Sequence, residues 1–209
     1  MKAMVKRAIR GITGRKPRVA ATYAAMHGSA KGMSFMVTMA AKVFGVDVAR
    51  FTVPGEHGHA SDAASKKIID EADVIFVAGG DPVAGAELLL SSGADAWLRD
   101  ARQRGQSLLG VSAGSMMLAA WWAKWPDDPP PGAPFDGAEL VECARVVGDL
   151  VVDCHAEEDD WVELRTVDKL LTARGGAKPR LLGLPNGGGV IVDGEGNLEE
   201  VGVAPFVLR

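Results

Sequence analysis

What this sequence lacks narrows its class quickly. Only two of its 209 residues are cysteine, Cys143 and Cys154. Two thiols cannot build the disulfide framework of a small secreted domain, so a reducing, cytoplasmic setting is expected. No apolar run approaches the roughly 20 residues that a membrane helix needs, which argues against a membrane protein. The first residues lack the apolar segment of a secretory signal. There is no internal repeat, no low-complexity tract and no sign of a second domain. Acids are missing from residues 1–18, which hold seven Lys or Arg and leave 16 positive against 27 negative charges on the rest. The expected organisation is therefore a solvated basic extension over residues 1–17, which also resembles an amphipathic transit peptide, and one α/β domain over 18–209. An acidic body argues against nucleic-acid binding.

What is present is a regular alternation. Short apolar runs at 18–23, 46–53, 74–78 and 108–111 are separated by helical stretches: one at about 32–44, one that carries Ile68 and Ile69, one through Leu88 to Leu90, and one at 97–104. Ser61 stands where a helix N-cap belongs. This order predicts a mostly parallel sheet flanked by helices on both faces. Met117, Trp121 and Trp125 recur at i+4 and read as the buried stripe of a helix after residue 112. A Pro- and Asp-rich loop over 126–134 follows. A strand at 146–152, a helix at 161–173 and short closing strands at 181–184, 189–192 and 199–203 complete the pattern. Asn186-Gly187 and residues 194–197 suggest hairpin turns, which would make a short terminal antiparallel hairpin.

In an open parallel sheet, ligands bind beyond the carboxyl ends of the strands. Three chemically suggestive groups fall there. Leu108-Leu109-Gly110-Val111-Ser112-Ala113-Gly114-Ser115 reads as strand, G-x-S-x-G and helix, the pattern of a nucleophile elbow. Small residues in such a turn also permit plain helix–strand packing. A serine hydroxyl needs a base, and His155 at the end of an apolar strand is the candidate. Of the other histidines, His27 marks the end of the first strand, and His57 and His59 form an H-x-H pair with no third ligand nearby. No metal or other cofactor is expected. The amide of Ala113 and that of Gly80, in the loop Gly79-Gly80-Asp81, are candidate oxyanion donors.

With these blocks in place the sequence resembles the peptidase E and cyanophycinase family of serine peptidases from about Val19 to Val203. The blocks are Val77-Ala78-Gly79-Gly80-Asp81, Gly110-Val111-Ser112-Ala113-Gly114-Ser115, Asp153-Cys154-His155 and Gly183-Leu184-Pro185-Asn186-Gly187. The resemblance implies a class I glutamine-amidotransferase-like fold and cleavage of small peptide or amide bonds beside aspartate through an acyl-enzyme. It implies Ser112 as nucleophile, His155 as base, Gly80 and Ala113 as oxyanion hole, and a homodimer.

Two departures stand out. Relatives carry a glutamate where this chain has Asn186. The partner of His155 is then Asn186, Asp127 (which matches an aspartate of the dipeptidase branch) or Asp153. Relatives also place arginines after the histidine, whereas here Glu157-Glu158-Asp159-Asp160 follow and Arg165 is the first cation. Asp81, Glu157 and Arg165 are the candidate substrate contacts. The departures keep open a catalytically weak homologue that binds a small ligand or partner in the same cleft, and an α/β-hydrolase esterase.

Overall fold

The computed structural model describes residues 2–26, 30–127 and 136–208. His27 and residues 128–134 of the expected loop lie outside them. In chain order the helix α1 (Lys2–Ala8) precedes β1 (Arg18–Thr22), α2 (Ala30–Phe44) and β2 (Asp47–Arg50). Then come α3 (Asp62–Asp70), β3 (Val74–Val77), α4 (Pro82–Ser91), α5 (Ala94–Gln103) and β4 (Ser107–Gly110). The second half holds α6 (Ala113–Leu118), β5 (Trp121–Lys124), β6 (Glu139–Glu142) and β7 (Leu150–Cys154). It closes with α7 (Val162–Arg174), β8 (Arg180–Leu184), β9 (Gly188–Val192), β10 (Leu198–Gly202) and β11 (Phe206–Leu208).

The α/β fold expected from the alternation is present. Strands β2-β1-β3-β4 form a parallel four-stranded sheet, and β7 and β8 form a second parallel pair edged by antiparallel β11. Period-two alternation sends successive residues to opposite faces. Ala20, Ile75 and Val77 join the core cluster shared with α3, α4 and α5, whereas Ala21 and Phe76 join a smaller cluster with Val37 of α2. Helices therefore cover both faces. Ser61 caps α3 by accepting from the Ala64 amide at 3.2 Å.

Several local expectations are corrected. The stripe Met117, Trp121, Trp125 does not lie on one helix, because α6 ends at Leu118 and Ala119 turns extended. Trp121 and Trp122 instead open β5, which pairs antiparallel with β6, a strand the polarity of 139–142 concealed. Trp122 is buried and meets Trp125 edge-on at 6.4 Å. The strand expected at 146–152 starts later, at Leu150, because Gly148 takes φ +78 and breaks the extended run. Asn186-Gly187 is a turn, closed by the Gly188 amide donating to Pro185 O at 2.9 Å, but it joins no hairpin. β8 pairs with β7 and β11, while β9 pairs with β10 across the 194–197 turn.

The basic extension is not simply solvated. Met4 of α1 reaches the Gly189 position on β9, and Arg7 pairs with Glu199 of β10 at 2.8 Å. Arg15 makes a two-toothed ion pair with Asp73, at 2.6 and 2.7 Å, which holds the Asp73 carboxyl below its ordinary range. No helix among the described residues is long and apolar enough to cross a membrane.

Candidate active site

The connection from β4 to α6 makes a sharp turn, and Ser112 stands at its apex with φ 53 and ψ −129. A non-glycine residue held there stores of order 1–3 kcal/mol of strain, which the surrounding packing must offset. The flanking glycines explain how that packing is reached. A Cβ on Gly114 would lie 2.1 Å from the carbonyl oxygen of Val77, and one on Gly110 would lie 2.7 Å from that of Gly114. Without them α6 could not sit so close to β3 and β4. Ser112 is thereby pushed up beyond the strand ends with the N-terminus of α6 behind it.

The Gly79-Gly80 loop after β3 abuts this turn. The Cβ position of Gly79 is 3.1 Å from the Cβ of Ser112 and 3.6 Å from the amide nitrogen of Ala113. Gly80 has φ +145, and a Cβ there would fall 2.2 Å from Ala25 O. The next amide, that of Asp81, donates to the same carbonyl at 2.8 Å and ties the loop down. The amides of Gly80 and Ala113 make no hydrogen bond among the described residues. Asp81 caps α4, accepting from the amides of Val83 and Ala84 at 2.9 and 3.1 Å.

His155 follows β7, and its amide extends the ladder to Leu184 O at 3.1 Å. Its φ of 65 breaks the strand alternation, so Asp153 and His155 do not share a face. Asp153 is fully buried and turned toward the start of α7. One oxygen accepts from the Cys154 amide at 2.7 Å, and the other finds no partner. Burial, reinforced by the charges of Glu163 and Asp159, pushes its carboxyl up to about 7. Asp127 is exposed in the bend after β5, away from the cavity that Ser112 and His155 line.

Ser112, His155 and Asn186 all line one cavity of about 630 Å³. The imidazole of His155 makes no hydrogen bond among the described residues, to Ser112 or to any carboxylate. Asn186 is committed elsewhere: its backbone amide and its Nδ2 donate to Oε1 of Glu157 at 2.9 and 2.8 Å. These bonds, with a contribution from His155, hold the exposed Glu157 carboxyl below its ordinary range. The link was invisible in the sequence, where residues 157 and 186 sit 29 apart. Cys154, read there only as a free thiol within the Asp153-Cys154-His155 block, has its Sγ 3.8 Å from Ser112 O. Burial pushes that thiol up to about 12, so it stays protonated at neutral pH.

Among the described residues, the arginines that follow His155 in the chain do not line the cavity. Arg165 binds Asp160 through its carbonyl at 2.8 Å and its carboxylate at 3.2 Å. Arg174 lies over Trp121, and Arg180 donates to Gly196 O at 2.7 Å. His59 bonds Thr52 and Asp62. Among the described residues no three His, Cys, Asp or Glu side chains are grouped to hold a metal.

Residues 33–197 match the model of peptidase family S51. The crystal structure of a peptidase from an acI-B1 Actinobacterium is similar, with a TM-score of 0.71 and 18% identity over 100% of this chain and 83% of that one. A protein assigned to peptidase E from Listeria monocytogenes EGD-e gives 0.65 and 14%, over 97% of this chain and 93% of its own. At these identities the two structures speak for the fold. No curated protein matches the sequence.

Proposed function

The chain belongs to peptidase family S51, and from that premise we propose that it is a serine-type peptidase acting on small peptide or amide substrates through an acyl-enzyme. The observation that carries this reading is the backbone of Ser112, held at φ 53 and ψ −129 beside two amides that bond no partner among the described residues. Ser112 Oγ attacks the scissile carbonyl while His155 removes its proton. The oxyanion forms against the N–H groups of Gly80 and Ala113, each worth about 3 kcal/mol in the transition state. His155 then returns the proton to the leaving amine as the C–N bond breaks. Water, deprotonated in the same way, releases the acyl group.

The acid that orients the histidine is Glu157 in this proposal, with Asn186 as its tether. An amide in the Asn186 position cannot stabilise an imidazolium, but the carboxylate that Asn186 holds can. The pairing of Glu157 with Asn186 and the electrostatic coupling of Glu157 to His155 support this assignment. In an unliganded site a long serine–histidine separation is common and closes when substrate binds.

Specificity for aspartyl substrates of the dipeptidase or cyanophycin type would need a cation for the carboxylate. Arg7 and Arg102 are the arginines lining the cavity, and they are occupied by Glu199 and by two backbone carbonyls. A substrate without a required side-chain carboxylate fits this wall better. The unbonded imidazole of His155 favours a second reading, a homologue that binds a ligand in the cleft without turnover. A fluorophosphonate probe decides between them. It labels Ser112 and fails on Ser112→Ala if the first reading holds, and it labels neither protein if the second does.

A further inference from the structure

The cavity beside Ser112 extends well past the catalytic groups. β4 pairs with β3 on one side alone, and its whole length, Ser107 to Gly110, faces the cavity with its other edge. That edge runs for about 10 Å. The opposite wall is aliphatic: Leu150 and Val152 of β7, Leu184 of β8 and Val190 of β9, with Leu118 and Val147 at the side. Met4 and Ala8 of α1 cover it. Arg102 closes the far end, donating to Val146 O and, at 2.7 Å, to Asp193 O. Both terminal nitrogens of its guanidinium are engaged there by backbone carbonyls.

The direction of this space relative to Ser112 is informative. Gly79, Gly80 and Ala113 do not line it, so the oxyanion donors lie on one side of the serine and the cavity on another. A carbonyl carbon on Oγ that points its oxygen at those amides has another substituent free to enter the cavity. A volume of about 630 Å³ sits in the middle of the usual range for small-molecule sites, about 300–1,000 Å³. The aliphatic wall of β7, β8 and β9 favours apolar groups over ordered water, whereas the free edge of β4 presents backbone N–H and C=O groups opposite it.

We propose that the cavity between β4 and the β7–β8 sheet is an acyl pocket that takes an unbranched aliphatic chain attached to the scissile carbonyl. The substrate class is thus an amide of a medium-chain acyl group or of a residue with a long apolar side chain. This rests on Ser112 being the nucleophile, and the test separates the two ideas.

Straight-chain acyl p-nitroanilides from acetyl to decanoyl are the probes. With the wild-type protein, kcat/KM rises by up to about fourfold per methylene, the transfer value for one CH2 group, and then levels off as the cavity fills. Val190→Trp, which obstructs the cavity, abolishes the dependence on chain length. Val147→Phe serves as the second variant should the first not fold by its near-ultraviolet circular dichroism. In parallel, calorimetry follows octanoyl and acetyl p-nitroanilide binding to Ser112→Ala, a readout that needs no turnover. Tighter binding of the octanoyl compound, lost on adding Val190→Trp, upholds the pocket even if the fluorophosphonate fails to label Ser112. That failure would remove the nucleophile alone. Labelling of Ser112 with rates and binding both indifferent to chain length overturns the pocket and leaves the nucleophile standing.

Discussion

Glu157 accepts two hydrogen bonds from Asn186 on a single carboxylate oxygen, at 2.8 and 2.9 Å, one from the side chain and one from the backbone. The pair bridges the turn after β8 and the segment that follows His155. A carboxylate fixed in this way keeps its charge, which couples to His155.

If Glu157 orients His155, Glu157→Gln lowers kcat by on the order of 10²-fold, within the range for general-base catalysis, with KM little changed. Asn186→Ala gives a smaller loss, because the backbone amide of residue 186 still reaches Glu157. Steady-state kinetics on the two variants test this. A rise confined to KM would return Glu157 to a substrate contact.

Gly80→Ala puts a methyl group where Ala25 O lies 2.2 Å away, at a φ of +145 that side chains rarely adopt. The loop must shift, carrying the Gly80 amide off the oxyanion position. The expected result is a drop in kcat of about 10²–10³-fold. Parallel thermal melts distinguish that from unfolding, since a residual fold with lost turnover is the predicted combination.

Asp153 gives a pH dependence of stability with a definite sign. Its carboxyl sits at about 7 in the folded protein against 3.8 as a reference. Between those values the folded state holds a proton that the unfolded state has lost, so stability is greatest below pH 4 for this group and falls as pH rises toward 7. The full effect would be about 4 kcal/mol at most. Asp153→Asn removes this contribution, and urea titrations at pH 5 and pH 8 should show a smaller difference between the two conditions than in the wild type.

Cys154 lies against the elbow, yet its thiol is held near 12. Iodoacetamide at pH 7.5 should therefore leave Cys154 unmodified and the activity intact, as read by intact mass and a rate assay. Cys154→Ser should retain turnover, which separates a serine nucleophile from a cysteine one.

Much of the frame was legible in the residues. The strands at β1, β3, β4 and β8, the Ser61 cap and the G-x-S-x-G turn rest on neighbours within a few positions, where propensity and periodicity act. Two of the failures have one cause in common. At Trp121 and Trp125 a helical spacing coincided with residues that also suit a strand, and pairing with the distant β6 decided the outcome. At Asn186-Gly187 the turn chemistry was right, but which strands flank it as partners depends on β7, β10 and β11, which a local pattern cannot name.

The sequence by itself determined that residues 110–114 make a strand-to-helix turn, and the clash that requires Gly110 is local, with Gly114, whereas the one that requires Gly114 is with Val77 of β3. It also determined that strands and helices alternate around that turn, because their periods are written in consecutive residues. The tertiary structure alone decided what surrounds Ser112. It brought Glu157 to Asn186, turned Asp153 away from His155 into the protein, and left an aliphatic cavity along the free edge of β4. Each of those depends on how separate elements pack, and burial, charge coupling and cavity shape arise only when residues far apart in the chain meet.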